Sequence, residues 1–488
     1  MIDTKALKQK ILDLAMRGKL VPQDPNDEPV EELLARIREE RKKLEKEKKI
    51  SKVEESDIYW SDDDNCYYEK NDIPSGWSCL QLQYFSNIYT GNSLNDKQKI
   101  DLSIKLDSFH HYIATKDIDL NGNINYENGL YIPLDYSLKR AKQNSILICL
   151  EGANAGNKIG LINKDVCFVN KLACVSPFIV ISKFVYYFFN SITFNNEFRD
   201  NMQGIIGGIP LSKFKSLSIL IPPLQEQERI VNKIDKLFEL VDKIEKDQQE
   251  LEELKKQAKD KVLELAVTGK LVKQDPNDEP ASVLLERIKV EKEKLIKEGK
   301  IKREKADLEP ISDDDKNYYE NIPSNWSIAK IQSISDSYIG LTYSPNNICD
   351  NGIIVLRSSN IKNGKLDFND IIRVNSRIPS KFVVNNNDII ICARNGSKHL
   401  VGKSAFVSNI NEPMTFGTFM AICKSEYSKW IYLFLQTKYY YNQLEKTSGT
   451  TTINQLTQKA FNNFTLPIAP ENEQKRIINK VNSLIQLL

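Results

Sequence analysis

One stretch of the sequence occurs twice. Residues 11–37 read ILDLAMRGKLVPQDPNDEPVEELLARI, and residues 262–288 read VLELAVTGKLVKQDPNDEPASVLLERI. The two stretches align without a gap, about 250 residues apart, which indicates that one structural unit was duplicated. A chain made of two like halves acquires an approximate two-fold axis, and such an axis suits a partner that has two-fold symmetry itself.

The duplication extends beyond this stretch on both sides. SDDDNCYYEKNDIPSGW (61–77) matches SDDDKNYYENIPSNW (312–326), and IPPLQEQERIVNKIDKLF (221–238) matches IAPENEQKRIINKVNSLI (468–485). Each repeat therefore contains a proline-rich exit, a long helix, the GKLV–QDPNDEP loop, a charged helix, an acidic link and a mixed domain. The pattern predicts an α/β fold with two mixed α/β domains, separated by long antiparallel coiled-coil helices in a pseudo-two-fold cyclic arrangement.

Five segments follow from this order of repeats. They are an N-terminal helical region (1–59), a first mixed domain (60–222), a central helical spacer (223–311), a second mixed domain (312–467) and a C-terminal helix (468–488). The C-terminal stretch matches only the front of the long helix, and the N-terminal stretch matches only its back. We therefore expect the two termini to lie close in space and to form a second long helix together. Separate linker helices are the alternative, but their apolar seam would then need another partner.

The central spacer has the pattern of a coiled coil. Seam positions, all apolar except Gln248, recur at alternating spacings of four and three residues, at Ile230, Ile234, Leu237, Val241, Ile244, Gln248 and Leu251. If the helix is continuous over 224–266, its length is roughly 60 Å. Gly269 is expected to end it, because glycine favours the position just after a helix.

Composition excludes several classes of protein. The chain has 488 residues, of which 41% are hydrophobic, and its net charge of +2 lacks the large basic excess of a non-specific nucleic-acid binder. No run of eighteen apolar residues predicts a membrane span. The eight cysteines form no CxxC pair, so we expect a cytoplasmic protein in a reducing compartment.

Motifs for chemistry are missing. We find no phosphate-binding P-loop, no GxGxxG dinucleotide motif and no NPPY- or DPPY-type tetrapeptide of an amino-methyltransferase. His110, His111 and His399 are expected to be lone surface histidines. The acidic clusters 62–64 and 313–315 suggest a solvated linker more strongly than a cation site. No catalytic residue, metal ligand or cofactor site is therefore predicted.

Four groups of polar loop residues recur at matched places in the two mixed domains. The pairs are 90–99 with 339–347, 112–122 with 355–364, 150–158 with 393–403, and 203–214 with 448–458. Their Asn, Ser, Thr, Lys and Arg side chains are types that bond to base edges and phosphates, which favours duplex DNA as the two-fold partner. The repeats differ most in these loops and least in the helices, as expected for one frame that carries two different readers.

The candidate DNA contacts in these groups are polar, basic or glycine residues. They are Gly91, Asn92, Ser93, Lys97, Thr115, Lys116, Asn154, Lys158, Gly204, Gly208, Thr342, Tyr343, Arg357, Ser358, Ser359, Asn360, Lys362, Arg394, Asn395, Lys398, Thr447, Ser448 and Thr450. Arg357, Arg394 and Lys398 are candidates for guanine or phosphate contact, and Asn360 and Asn395 for adenine. Simple solvation is the alternative for any single loop residue, so the prediction depends on the groups.

The whole chain resembles the specificity (S) subunit of type I restriction–modification systems. The exit IPPLQEQERIVNKI (221–234), the paired IPSGW (73–77) and IPSNW (322–326), and the helix–GKLV–QDPNDEP block carry the resemblance. The second exit departs from the family's pattern, because it reads APENEQ where the first reads PPLQEQ. We therefore expect a partner subunit to dock less regularly at that end.

The resemblance implies a non-catalytic subunit of a DNA adenine methyltransferase and restriction endonuclease complex. Each mixed domain would be a target-recognition domain for one half of a bipartite double-stranded DNA sequence. The helices would set the spacing of the halves and dock two methyltransferase subunits, with two restriction or motor subunits joining for cleavage. S-adenosylmethionine, ATP and Mg²⁺ would belong to those partners, and no cofactor would bind this chain. From the residues alone, a coiled-coil scaffold and a DNA-modifying enzyme with an unrecognised active site stay open as alternatives.

Overall fold

The computed structural model describes residues 1–52, 73–105, 107–203, 207–299, 311, 319, 321–447 and 455–488. These residues form two compact units, Met1–Gln249 and Glu250–Leu488. This division is coarser than the five segments predicted from the sequence, and the boundaries of those segments stay a prediction.

The first unit combines helices with short strands. Its helices are α1 (Thr4–Met16), α2 (Val30–Lys46), α3 (Leu82–Phe85), α4 (Asp96–Asp101), α5 (Ser182–Phe189), α6 (Ile192–Asp200), α7 (Leu211–Lys215) and α8 (Leu224–Val267), whose end belongs to the second unit. Its strands are β1 (Ser78–Gln81), β2 (Ser86–Thr90), β3 (Phe109–Ile113), β4 (Tyr131–Pro133), β5 (Arg140–Ala141), β6 (Ile146–Cys149), β7 (Ile159–Leu161), β8 (Val166–Phe168), β9 (Leu172–Pro177) and β10 (Ser218–Ile221).

The second unit repeats most of this order. Its further helices are α9 (Ala281–Lys297), α10 (Ile331–Ile334), α11 (Ser428–Phe434), α12 (Lys438–Thr447), α13 (Gln458–Asn463) and α14 (Glu471–Ile485). Its strands are β11 (Ser327–Lys330), β12 (Asp336–Ile339), β13 (Ile348–Leu356), β14 (Ile361–Lys362), β15 (Lys365–Leu366), β16 (Ile372–Val374), β17 (Ile389–Cys392), β18 (Ser404–Phe406), β19 (Met414–Phe416), β20 (Met420–Lys424) and β21 (Thr465–Ile468).

The sheets show the duplication in three dimensions. The order β2-β9-β6-β7 in the first unit corresponds to β12-β20-β17-β18 in the second, and both sheets are antiparallel. A second sheet in each unit contains one parallel pair, β3 with β8 and β13 with β19. The pairs β1–β10 and β11–β21 join the start of each mixed domain to its end. The predicted α/β fold with two like mixed domains and long helices is therefore confirmed.

Helix α8 is continuous over 44 residues, about 66 Å, and Gly269 follows its end with a positive φ of 73° as predicted. Within the first unit, α1 runs antiparallel to the first part of α8. The backbone amide of Ile2 donates to the Gln248 side chain (2.7 Å), and Lys8 forms an ion pair with Asp242 (2.5 Å). Where α1 covers the seam, Ile234 and Val241 are buried and Leu237 and Ile244 are half-buried, but Leu251 is 51% exposed. Leu251 is therefore wrongly assigned to the seam, because it lies past the point where α1 begins.

The repeated GKLV loop packs on the repeated IPS segment. A Cβ atom added to Gly18 would lie 2.8 Å from Cγ of Pro74, and one added to Gly269 would lie 2.4 Å from Cγ of Pro323. Both glycines also have positive φ, so two independent constraints favour glycine at this point of the repeat.

A buried tryptophan joins the start of each mixed domain to the helix that leaves it. The Nε1 of Trp77 donates to Oε2 of Glu226 (3.1 Å), and Nε1 of Trp326 donates to Oε2 of Glu473 (3.0 Å). Burial raises the pKa of both glutamates above its ordinary value. No helix among the described residues is long and apolar enough to cross a membrane.

Candidate DNA interface in each unit

The predicted loop groups of each unit lie around one short turn. We call it the central turn, and it comprises residues 168–172 in the first unit and 416–420 in the second. At this turn the chain passes from one sheet to the other, from β8 to β9 and from β19 to β20. The turn was not among the predicted groups.

In the first unit, backbone hydrogen bonds connect the central turn with three of the loop groups. They run from the Asn92 amide to the Phe168 carbonyl (2.9 Å), from the Val169 amide to the Ile113 carbonyl (2.9 Å), and from the Leu150 amide to the Lys171 carbonyl (3.0 Å). The first, second and third groups are thus held side by side.

The second unit contains the same three connections. They run from the Leu341 amide to the Phe416 carbonyl (2.9 Å), from the Gly417 amide to the Leu356 carbonyl (3.0 Å), and from the Ala393 amide to the Phe419 carbonyl (2.9 Å). Because backbone groups make these bonds, both units have the same backbone arrangement, although the side chains around it differ between the units.

The fourth group joins the third through an isolated β-bridge in both units. Glu151 pairs with Gly208 in the first unit, and Arg394 pairs with Gln455 in the second. Three predicted members of this group lie outside the described residues, namely Gly204, Ser448 and Thr450.

Gly91 and Gly340 are needed for the close approach of the first loop group to the central turn. A Cβ atom at Gly91 would lie 1.9 Å from the Phe168 carbonyl oxygen, and one at Gly340 would lie 2.2 Å from the Gly417 carbonyl oxygen. Neither distance is possible for a side chain. Gly91 therefore supports the loop, and it is buried rather than available to DNA.

The other predicted residues divide by exposure. The exposed ones are Ser93, Lys97, Lys116, Asn154, Thr342, Ser359, Lys362, Arg394, Lys398 and Thr447. The half-buried ones are Asn92, Thr115, Lys158, Gly208, Tyr343, Arg357, Ser358 and Asn395. The exposed set contains members from the first three loop groups and Thr447, which directly precedes the fourth, so the loops present polar and basic side chains around each central turn.

Asn360 is wrongly assigned as an adenine reader, because it is only 1% exposed. Its Nδ2 donates to the carbonyl oxygens of Asp367 (2.9 Å) and Asp370 (2.8 Å), and its Oδ1 accepts from the Arg357 amide (2.9 Å). Asp117 occupies the matching place in the first unit, where its carboxylate accepts from the backbone amide three residues earlier. Asn360 shapes the second loop group and has no free edge for a base.

Several half-buried candidates hold loops together. The Nζ of Lys158 donates to the Thr115 carbonyl (2.9 Å), and Nδ2 of Asn395 donates to Oγ of Ser358 (3.1 Å). Each bond joins the second loop group to the third. These side chains position the surface, and a base contact would require them to give up those partners.

Arg357 and Lys362 each have an acidic neighbour. Nη2 of Arg357 lies 2.8 Å from the Asp370 carboxylate, whose side chain is 72% exposed, and Nζ of Lys362 lies 3.2 Å from Asp367. Exposed ion pairs contribute little free energy, so DNA phosphates can compete for both cations.

The structure adds candidates that the sequence prediction missed. Phe419 in the central turn is 56% exposed, and the guanidinium of Arg394 lies over its ring, 5.5 Å from the centroid. The same two places in the first unit are taken by Lys171 and Glu151, both exposed. In both repeats a short polar stretch separates two apolar strands at this place. This signal in the sequence could have identified the turn.

The described residues contain no candidate metal centre. His111 is half-buried rather than on the surface, and its Nδ1 lies 2.7 Å from the Tyr126 carbonyl oxygen. Burial lowers the pKa of His111. No described group of His, Cys, Asp or Glu is placed to hold a metal ion, and the two acidic clusters 62–64 and 313–315 lie outside the described residues.

Comparison with known proteins agrees with this geometry. Residues 74–256 and 323–488 match the family model of the type I restriction modification DNA specificity domain. The chain is 30% identical to the type I restriction enzyme EcoAI specificity subunit of Escherichia coli, over 99% of this chain and 89% of that protein. It is 29% identical to the EcoEI specificity subunit of Escherichia coli with the same coverage.

A solved structure shows a similar fold. It describes complex assembly and conformational transition of the type I restriction–modification system, and one of its chains aligns with a TM-score of 0.56 at 17% identity. The alignment covers 85% of this chain and 91% of that chain. The family model therefore matches the chain twice, once over each set of loops gathered at a central turn. The chain belongs to the family of type I restriction–modification DNA specificity subunits.

Proposed function

We propose that each unit reads one half of a bipartite DNA sequence through the side chains around its central turn. The observation that supports this most is the pairing of a common backbone frame with different exposed side chains. Phe419 and Arg394 stand where the first unit has Lys171 and Glu151. Arginine and lysine pair with guanine, glutamate accepts from cytosine, and an apolar ring contacts the thymine methyl group, so the two units should prefer different bases.

We also propose that α8 sets the spacing between the two half-sites. A helix of about 66 Å exceeds one turn of DNA, roughly 34 Å, which separates half-sites on the same face of the duplex. A rigid spacer turns two weak half-site contacts into one event of high effective concentration. The proximity of the two chain termini, which would close the cyclic arrangement, stays a prediction.

The partners belong to the same proposal. The relatives named above are specificity subunits of type I restriction enzymes, which supports assembly with methyltransferase and restriction subunits. We propose two methyltransferase subunits and, where cleavage occurs, two restriction subunits, which would bind S-adenosylmethionine, ATP and Mg²⁺. This chain would then act without chemistry of its own. We further propose the cytoplasm as its compartment, since the cysteines of the described residues are free thiols.

The test is a comparison of DNA methylation across the host genome with and without this gene. The proposal expects one asymmetric sequence with an internal gap to lose its adenine methylation when the gene is deleted. Methylation or cleavage of DNA by the isolated chain, given S-adenosylmethionine or Mg²⁺, would contradict the non-catalytic role.

A further inference from the structure

The first unit contains a basic pocket of about 540 Å³ between α2, β2, β5 and α7. Six of its lining residues are cationic, namely Arg41, Lys48, Lys49, Lys139, Arg140 and Lys215. None of the described lining residues is Asp or Glu. The pocket therefore concentrates positive charge in a chain whose net charge is only +2.

Arg41 is a rigid part of this pocket. It is 5% exposed, and it donates to the carbonyls of Gln83 (2.5 Å), Tyr84 (3.1 Å) and Ser51 (3.2 Å). Its Nε forms an ion pair with Glu45 (2.9 Å), and burial lowers the pKa of the guanidinium. The side chain is fixed by these bonds, so its charge has a fixed position.

Of the other cations, Lys49 forms an ion pair with Glu47 (2.6 Å), and four lack such compensation. In the part of the chain that the structure describes, Lys48, Lys139, Arg140 and Lys215 form no ion pair with a carboxylate. Burial, and then the nearby charge of Arg41, lower the pKa of Lys215. An anion entering the pocket would relieve this repulsion.

The pocket adjoins the first loop group. Nζ of Lys139 donates to the Thr90 carbonyl (3.0 Å), and the Lys139 amide donates to Oδ1 of Asn92 (2.8 Å). Tyr89 donates from its hydroxyl to the Arg140 carbonyl (2.6 Å). The pocket wall is thus continuous with a loop that faces the proposed half-site.

The duplicated fold does not impose this charge. In the second unit, Asp336 takes the place of Asn87 and Asn462 takes the place of Lys215. A depression in the second unit that shares part of this lining, through Lys292, Gln332, Ser335 and Asp336, contains three cations and four acids, namely Arg287, Lys292, Lys424, Glu291, Asp336, Glu426 and Glu471. The two positions named above therefore make the first unit more basic than the second at this place.

We propose that this pocket binds a phosphate group of the DNA backbone just outside the half-site that the first unit reads, an inference that rests on the proposed function. Lysines that surround a fixed guanidinium suit a phosphate. Because phosphate contacts carry no sequence information directly, the pocket would set affinity and position and leave the bases read unchanged.

The first experiment uses the full chain assembled with its methyltransferase partner. Fluorescence anisotropy measures binding to a duplex that contains the target sequence of the complex, over a series of KCl concentrations. We expect Lys139→Gln with Lys215→Gln to weaken binding to all sequences alike. The slope of log affinity against log salt should become shallower by about one to two, since each lost phosphate contact removes about 0.9. The methylated sequence should not change.

The matched control is Lys142→Gln with Lys213→Gln. Lys213 is exposed on the same helix as Lys215, Lys142 is exposed three residues after Lys139, and neither lines the pocket. This control should keep the wild-type slope. The inference would be overturned if the two double variants had equal slopes of log affinity against log salt. It would also be overturned if the pocket variant lost its methyltransferase partner and its slope did not change.

A second experiment needs no variant for its main result. Neutral methylphosphonates replace single phosphates, one at a time, along the duplex. At one or two positions just outside the first half-site, this replacement should weaken binding of the wild-type protein. The same substitutions should have little further effect on the Lys139→Gln, Lys215→Gln protein. If no flanking position matters to the wild type, the pocket does not bind this DNA. Failure of the proposed function would look different, because the wild type would then prefer no sequence at all.

Discussion

The guanidinium of Arg229 holds both carboxylate oxygens of Asp27, with N–O distances of 2.7 and 2.5 Å, although the residues are 202 positions apart in the sequence. The hydrogen bonds that Arg229 donates to the Asp27 carboxylate raise the pKa of Arg229. The second unit repeats the pair with Arg476 and Asp278. In each unit the helix after the proline-rich exit is thus tied to the QDPNDEP loop, which explains why both motifs recur together.

We expect Arg229→Ala to destabilise the first unit by about 2 kcal/mol, because the Asp27 carboxylate, whose side chain is 8% exposed, would lose a charged partner. Urea unfolding of the full chain measures the effect. The control is Arg36→Ala, whose more exposed ion pair with Glu28 should contribute about 0.5 kcal/mol. Equal effects of the two variants would contradict a structural role for the Arg229 pair.

Glu226 should make stability depend on pH. Its pKa is raised above the ordinary 4.5 by burial, so the folded state holds the proton more tightly than the unfolded state does. The contribution of the Glu226 carboxyl to the free energy of unfolding is therefore complete below pH 4.5. It is lost as the pH rises through the pKa that Glu226 has in the folded state. Glu226→Gln should remove this pH-dependent loss of stability. The urea concentration at the midpoint of its unfolding should therefore rise relative to that of the wild type as the pH increases.

The control for this effect is Glu228→Gln on the same helix, where the side chain is exposed. That variant should keep the wild-type pH dependence. A Glu226→Gln protein whose midpoint follows the wild type across this pH range would show that the buried carboxyl does not cause it.

Asn360→Ala should destabilise the second unit by about 2–3 kcal/mol, because three buried hydrogen bonds lose their partner. Ser359→Ala, at the exposed neighbour, should change unfolding by less than about 0.5 kcal/mol. Thermal or urea unfolding distinguishes the two. A stable Asn360→Ala protein with an altered DNA preference would instead restore Asn360 as a base reader.

Periodicity and self-similarity were enough to predict the duplication, the long helix and the four loop groups. They could not show which loop residues are covered. Asn360 looks like any polar loop residue until the carbonyls of Asp367 and Asp370 are placed beside it. Leu251 continues the heptad, but the sequence does not show where the partner helix begins. The central turn was missed because backbone atoms make its contacts, and the short polar break at this place in the sequence does not show which loops those atoms hold.

Removing one heptad of α8 from the seam over 230–248 should shorten the tolerated gap between half-sites and leave both half-sites unchanged. Seven residues correspond to about 10 Å of helix, so the expected shift is about three base pairs. The methylated sequence in cells that carry the shortened protein gives the gap directly. An unaltered gap in an assembled, active complex would contradict the spacer role of α8.

Genome-wide methylation in cells carrying single-unit variants tests the central claim most directly. Lys171→Ala and Arg394→Ala remove one exposed side chain beside the central turn of the first and the second unit, and a lost base contact costs about 1–3 kcal/mol in discrimination. The account predicts that each variant relaxes or changes the bases of one half-site and leaves the other half and the gap as in the wild type. A single variant that changes both halves, or two variants that change the same half, would contradict the assignment of one half-site to each unit.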